Sequence, residues 1–128
     1  MKNFDLRNRL KKLVDAKQPS FHILEREIRY AYLGVNIWFE EDGKGTDFRR
    51  PVLVLKKIGN VFAVLPMTTK GKDSKFYYRL PDRYFKKTSR VILSQGRVLD
   101  KARFIDKIGM LSEGDYNDVK EKLKALLL

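Results

Sequence analysis

Two almost wholly apolar runs, set either side of a turn signal, constrain the fold of this chain more than any other feature. The first opens with Arg50-Pro51-Val52-Leu53-Val54-Leu55 and extends to Lys57. The second runs from Val61 to Met67 and ends on the hydroxyls of Thr68 and Thr69. Between them stands Ile58-Gly59-Asn60, a hairpin signature, because glycine takes the positive φ that a tight hairpin turn needs. Both runs are apolar at nearly every position, which predicts strands buried on two faces. Antiparallel pairing sets the start of the first run beside the end of the second, so Arg50 and Thr68 meet at one edge of the sheet. A guanidinium beside a hydroxyl suits a phosphate.

The rest of the chain reads as follows. Leu6, Leu10, Leu13 and Val14 recur at helical spacing, predicting a helix from Asn3 to Ala16 that ends before Pro19. Strands are predicted over Glu27 to Leu33, with Ile28, Tyr30 and Tyr32 on one face, and over Phe76 to Leu80, Val91 to Leu93 and Phe104 to Met110. Gly34 to Arg49 and Lys70 to Lys75 read as loops. Asp100-Lys101-Ala102 reads as a short turn. Ser112 caps a last helix, with Asp115 placed to complete a capping box. That helix buries Tyr116, Val119, Leu123 and Leu126 or Leu127. The division predicted is an N-terminal helical extension over 1–20 and one β domain over 21–128, with no internal repeat.

Charge limits the choice of partner. The 128 residues carry 28 Lys and Arg against 16 Asp and Glu, a net +12. Such a balance points to an anionic partner, most often nucleic acid, or else to a solubilising surface. Between Lys70 and Arg90 stand eight basic residues and two acidic ones, interleaved with Phe76, Tyr77, Tyr78, Tyr84 and Phe85. Cations for phosphates and aromatic faces for bases are what single-strand binding requires. Alternate aromatics such as Phe76 and Tyr78 serve equally well as core. With no cysteine there is no disulfide or thiol nucleophile. No apolar run is long enough to cross a bilayer, and Met1-Lys2-Asn3-Phe4-Asp5 lacks a signal-peptide core. The expected location is therefore cytoplasmic.

Arg50-Pro51-Val52-Leu53-Val54, then Leu65-Pro66-Met67-Thr68-Thr69, then Gln95-Gly96-Arg97-Val98-Leu99-Asp100, in this order, resemble the MazF/PemK family of bacterial toxins. Glu27-Ile28 and Lys107-Ile108-Gly109 extend the resemblance over roughly residues 26 to 128. It implies a mainly β fold with flanking helices: a small SH3-like (MazF/CcdB-type) barrel, with the N-terminal helix as an extension and a helix at the C-terminus. It also implies an endoribonuclease toxin, active on single-stranded RNA, acting as a homodimer and inhibited by an acidic antitoxin. The apolar ending Leu126-Leu127-Leu128 agrees with a partner subunit.

The chemistry expected needs three acts: activating the ribose 2′-hydroxyl, stabilising charge on phosphorus, and protonating the 5′-oxygen. The family's catalytic arginine and hydroxyl correspond to Arg50 and Thr68. Each also has a purely architectural reading, Arg50 as an edge charge and Thr68 as a strand-ending hydroxyl. The family's acidic loop position corresponds to Glu40, within Trp38-Phe39-Glu40-Glu41-Asp42-Gly43. There the chain departs from the family, with Trp38 for a glycine and Phe39 where some members have histidine. Glu40 is thus the candidate base, or a solvated loop carboxylate. Thr69, Lys70, Lys72 and Lys75 are candidates for RNA backbone contacts, Tyr77 and Tyr84 for stacking. Gln95 and Arg97 match the family's Gln-x-Arg element, as base and phosphate contacts or as structural anchors. His22, the single histidine, reads as a surface residue.

No cofactor is expected, and no metal, because His, Cys and acids do not gather at ligand spacing beyond Glu40, Glu41 and Asp42. Cleavage through the RNA's own 2′-hydroxyl leaves a 2′,3′-cyclic phosphate and a 5′-hydroxyl. The competing readings are a catalytically silent nucleic-acid-binding barrel and a gyrase-directed toxin of the CcdB type. The latter acts through a tryptophan-containing end, and this chain ends without tryptophan.

Overall fold

A computed structural model describes residues 22–33 and 49–128. The expected N-terminal helix, most of the loop before Arg50, and Glu40 lie outside the described residues. Among the described residues, seven strands follow in order: β1 (Glu27–Tyr32), β2 (Arg49–Ile58), β3 (Val61–Thr68), β4 (Tyr77–Arg79), β5 (Arg90–Ile92), β6 (Arg97–Asp100) and β7 (Phe104–Met110). The α-helix α1 (Glu113–Leu127) follows them. All pairings are antiparallel, with strand order β4-β5-β3-β2-β1-β7 and β6 attached to β3.

The hairpin forms where the apolar runs placed it. Ile58 pairs with Val61, leaving Gly59 and Asn60 as a two-residue turn with Gly59 at φ 60°. A glycine at positive φ in the first turn position matches the twist of the flanking strands. Burial on both faces holds at the centre, where Val52, Leu53 and Val54 are fully buried, but not at Lys56 to Ile58, which are exposed. Leu53 joins one apolar cluster, with Ile28, Leu65, Met67, Val91, Tyr116 and Val119; α1 covers it, with Leu123 and Leu126 against its rim. Val52 and Val54 join a second cluster on the opposite face, built with Ala31, Phe62, Val64, Leu99 and Phe104. Each fully buried aliphatic side chain contributes about 1.5–3 kcal/mol through removal from water.

The second cluster shows how far the sheet curls. Phe62 of β3 and Phe104 of β7 meet edge to face at 5.4 Å, although β2 and β1 stand between their strands. The ladder nevertheless does not close: among the described residues β4 and β7 remain unpaired edges. The expected closed barrel is therefore corrected to a curled, open antiparallel sheet. The physical reason is that β4 and β5 are only three residues long and β6 branches from β3, so no strand is left to join the edges.

β1 carries charge into the interior. Ile28, Tyr30 and Tyr32 do share a face, but Tyr30 and Tyr32 are exposed, while Glu27, Arg29 and Ala31 are buried. The buried charges satisfy one another: Arg29 Nε donates to Glu27 Oε1 at 2.7 Å, and Arg29 Nη1 donates to the Ile105 carbonyl at 2.7 Å. Removing either partner would strand a buried charge.

The N-terminus of α1 is capped in a manner only partly legible in the sequence. The Asp115 amide donates to Ser112 Oγ at 3.1 Å, as a capping box requires. The return contact runs through a third residue. The Ser112 amide donates to the Tyr84 hydroxyl at 2.9 Å, which donates to Asp115 Oδ2 at 2.6 Å. No helix among the described residues is long and apolar enough to cross a membrane.

Candidate functional site

β3 is the strand from which the site is built, because it changes partners along its length. Val61 to Val64 pair with β6 on one side, whereas Met67 and Thr68 pair with β5. Pro66 falls in the gap between these segments, and with no amide proton to donate it suits a break in the ladder. On its other side β3 pairs with β2 down to Val52 and Pro66. Arg50 and Thr68 each lie two residues beyond that last pair, so extending the register brings them opposite one another at the end of the hairpin. Arg50 is itself held on β2, paired with Ala31 of β1. Opposed residues in an antiparallel pair lie about 5 Å apart at Cα and point to one face.

Arg50 is exposed and Thr68 half-buried. The Lys70 amide donates to Thr68 Oγ1 at 3.0 Å. That bond occupies an acceptor site and leaves the hydroxyl proton free to donate. The Thr68 hydroxyl therefore keeps the capacity to donate.

On the other face of this sheet end lies a cleft of about 220 Å³. Tyr30, Pro51, Met67, Phe85 and Ile108 give it apolar lining; Thr68, Thr69, Lys87 and Ser89 add polar groups. Arg50 is not part of this lining, so the hairpin end has two distinct surfaces that meet at Thr68. Arg49 stands over the Tyr30 ring, 6.0 Å from its centroid.

The other predicted residues are dispersed. Lys70, Lys72 and Lys75 are exposed beyond β3, and Lys75 lies 5.5 Å from the Phe76 ring centroid. Tyr77 is half-buried on β4, paired with Ile92 and packed close to Gly71. Gly71 has φ 120°, and a Cβ there would come within 3.3 Å of Tyr77 Cε1, so this loop requires glycine. Tyr84 stands at the helix cap, its ring against the main cluster and its hydroxyl engaged. Arg97 pairs with Val64, four residues along β3 from Thr68, or about 13 Å. Gln95 is exposed, next to Gly96, where an added Cβ would lie 3.7 Å from Leu65 Cδ2. Glu40 lies outside the described residues. His22 is exposed, and its carbonyl accepts from Arg29 Nη2 at 3.3 Å.

The shifted ionisations belong to the helix side. Burial, then the carboxylates of Asp118 and Asp115, push the Tyr78 hydroxyl up to about 12. Tyr78 donates to Asp118 Oδ2 at 3.3 Å. Burial chiefly, with Glu25 nearby, also raises Tyr116, which donates to the Leu55 carbonyl. Both phenols thus act as neutral donors pinning α1 to the sheet.

Two arginines that the sequence pattern did not single out stand in line with Thr68. Arg90 of β5 pairs directly with Thr68, and Arg79 of β4 pairs directly with Arg90. Nothing local in the sequence separates them from the other cations of their segment; only strand pairing does.

The sequence profile of PemK-like, MazF-like toxins of type II toxin–antitoxin systems matches residues 35–127. No curated protein sequence matches the chain. Among solved structures, the chain is similar to MazF from Deinococcus radiodurans, with 20% identity and a TM-score of 0.66. That match covers 84% of this chain and 98% of the other. It is similar to an endoribonuclease solved with its cognate antitoxin from a mycobacterial species, with 15% identity, a TM-score of 0.64, and coverage of 83% and 95%. It is also similar to the Mycobacterium tuberculosis toxin MazF-mt6, with 19% identity, a TM-score of 0.62, and coverage of 80% and 96%.

Proposed function

The chain belongs to the PemK-like, MazF-like toxin family of type II toxin–antitoxin systems, and from that membership we propose that it is an endoribonuclease acting on single-stranded RNA. The observation that supports the reading is the open end of the β2–β3 hairpin, where Arg50 and Thr68 each stand two residues beyond the last pair, Val52 and Pro66. In this reading Arg50 stabilises the charge that grows on phosphorus. Its fork of donors fits two phosphoryl oxygens, and its high pKa makes it an acid or an electrostatic group rather than a base. Thr68 donates to a non-bridging oxygen. The apolar cleft behind Thr68 accepts a flanking base, with Tyr30 and Phe85 as surfaces for it. Glu40 is the candidate base that activates the 2′-hydroxyl.

The reaction needs no metal in this proposal: the 2′-oxygen attacks phosphorus, its proton passes to the base, and the 5′-oxygen leaves with a proton. Single-stranded RNA incubated with the protein in chelator should yield fragments ending in 2′,3′-cyclic phosphate and beginning with 5′-hydroxyl. An all-deoxy strand of the same sequence should stay intact. Activity lost in chelator and restored by magnesium would count against the mechanism; no cleavage of any RNA would leave a nucleic-acid-binding module only.

The partners proposed are a second copy of this chain and an acidic antitoxin, the latter supported by the net +12 charge and by the antitoxin-bound similar structure. Leu127 and Leu128 are 71% and 95% exposed, an apolar end suited to a subunit contact. Light scattering at tens of micromolar should give the dimer mass, and binding of the acidic partner should weaken as salt is raised. A monomer mass, or salt-independent binding, would contradict these two assignments respectively.

A further inference from the structure

Thr68, Arg90 and Arg79 stand in one rank across β3, β5 and β4, each directly paired with the next. Continued through β2, the same rank begins at Arg50. Directly paired residues share a face, so the guanidiniums of Arg90 and Arg79 line up with the Thr68 hydroxyl perpendicular to the strands, and Arg50 joins them where the β2–β3 register is extended. At about 4.8 Å per strand, the rank spans about 14 Å, long enough for more than one phosphate.

The counter-ions of this rank are informative. Arg90 Nη2 lies 3.0 Å from Asp73 Oδ1, and Arg79 Nη2 lies 3.5 Å from Asp82 Oδ1. Asp73 and Asp82 are the two acidic residues of the Lys70–Arg90 segment, and both sit on this rank. Their side chains are 84% and 76% exposed, so each is a weak, water-screened partner. The Arg90 side chain, by contrast, is only 15% exposed, and its Nε is buried without a hydrogen-bond partner among the described residues. A fixed guanidinium with an unused donor and a loosely held acid is an anion site with an exchangeable counter-ion.

We propose that the RNA backbone crosses the sheet along the rank Arg50–Thr68–Arg90–Arg79, phosphates displacing Asp73 from Arg90 and Asp82 from Arg79. This rests on the ribonuclease reading only for the identity of the strand. It makes Arg90 and Arg79 phosphate-positioning residues on one side of the scissile linkage. Asp73 and Asp82 compete with the strand for them.

The test is binding, separate from cleavage. A labelled single-stranded RNA carrying 2′-O-methyl groups throughout cannot be cut through its 2′-oxygen, so its affinity is measured by anisotropy over a salt series. Arg90→Gln and Arg79→Gln should each weaken binding roughly tenfold, as for loss of one charge-assisted contact, and lower the salt slope by about 0.7. Asp73→Asn and Asp82→Asn should tighten binding. One methylphosphonate linkage beside the scissile position should weaken the wild type but add nothing further in Arg90→Gln. Thermal unfolding accompanies every variant. If Arg90→Gln fails to fold, the exposed Arg79 carries the test alone. Wild-type affinity and salt slope in the arginine variants, or weaker binding in the aspartate variants, overturns the track. If the unmodified RNA is bound along the rank but not cut, the ribonuclease reading fails and the track stands.

Discussion

Replacing Arg50 with alanine is expected to lower RNA cleavage by orders of magnitude while leaving the thermal midpoint within a few degrees of wild type. The side chain is exposed at the start of β2, and the strand is held there by backbone pairing of Arg50 with Ala31. Surface substitutions of this kind usually change stability by no more than about 0.5 kcal/mol. The catalytic loss is large because the group acts on charge present only in the transition state, where one preorganised donor contributes a factor of about 10²–10³. Arg50→Lys should recover part of the rate. It restores the charge but not the planar fork that engages two oxygens. An edge-strand charge would show the reverse: intact turnover and altered aggregation or stability. Wild-type turnover in the alanine variant would make Arg50 architecture.

Thr68→Ala should cost about 10²-fold in cleavage rate, the effect of deleting one donor to a developing oxyanion. Thr68→Ser should cleave normally, since serine keeps the hydroxyl that accepts from the Lys70 amide. Thr68→Val separates shape from chemistry, because it preserves the β-branched strand end and removes the hydroxyl, both as donor and as acceptor of the Lys70 amide. If valine cleaves like wild type, the hydroxyl is not in the reaction. The alanine change also leaves the Lys70 amide without its acceptor, but that amide is exposed and water replaces the contact at little cost. Rates and unfolding midpoints measured on the same preparations therefore distinguish a reacting hydroxyl from a turn-forming one.

The elements most legible in the sequence were those built from local rules. The hairpin followed from two apolar runs and a glycine able to take positive φ, and it closes at Gly59-Asn60 as the residues indicated. α1 followed from helical spacing and the Ser112 cap. Its inward residue at the end is Leu126 rather than Leu127, since Leu126 packs on the cluster and Leu127 is exposed. The 3₁₀ turn at Lys101–Arg103 was visible in Asp100, whose carboxylate accepts from the Ala102 amide at 3.1 Å.

Where the outcome depended on a distant neighbour, the sequence was silent. β6 is four residues long, of which only Leu99 is buried; it exists as a strand because the edge of β3 is there to pair with it. Tyr84 reads as a stacking aromatic among cations, yet Ser112 and Asp115, about thirty residues on, engage its hydroxyl. The open sheet could not be foreseen either, because closure depends on how far the curl carries the two edges. By itself the sequence determined the hairpin, the final helix, the family motifs and an anion-seeking charge, since those depend on residue type, spacing within a few positions and composition. Only the tertiary structure shows which cations stand in line with Thr68. Arg90 and Arg79 are chemically equivalent to their neighbours until β3, β5 and β4 pair, and strand pairing alone converts positions far apart in the chain into a rank a few ångströms per step.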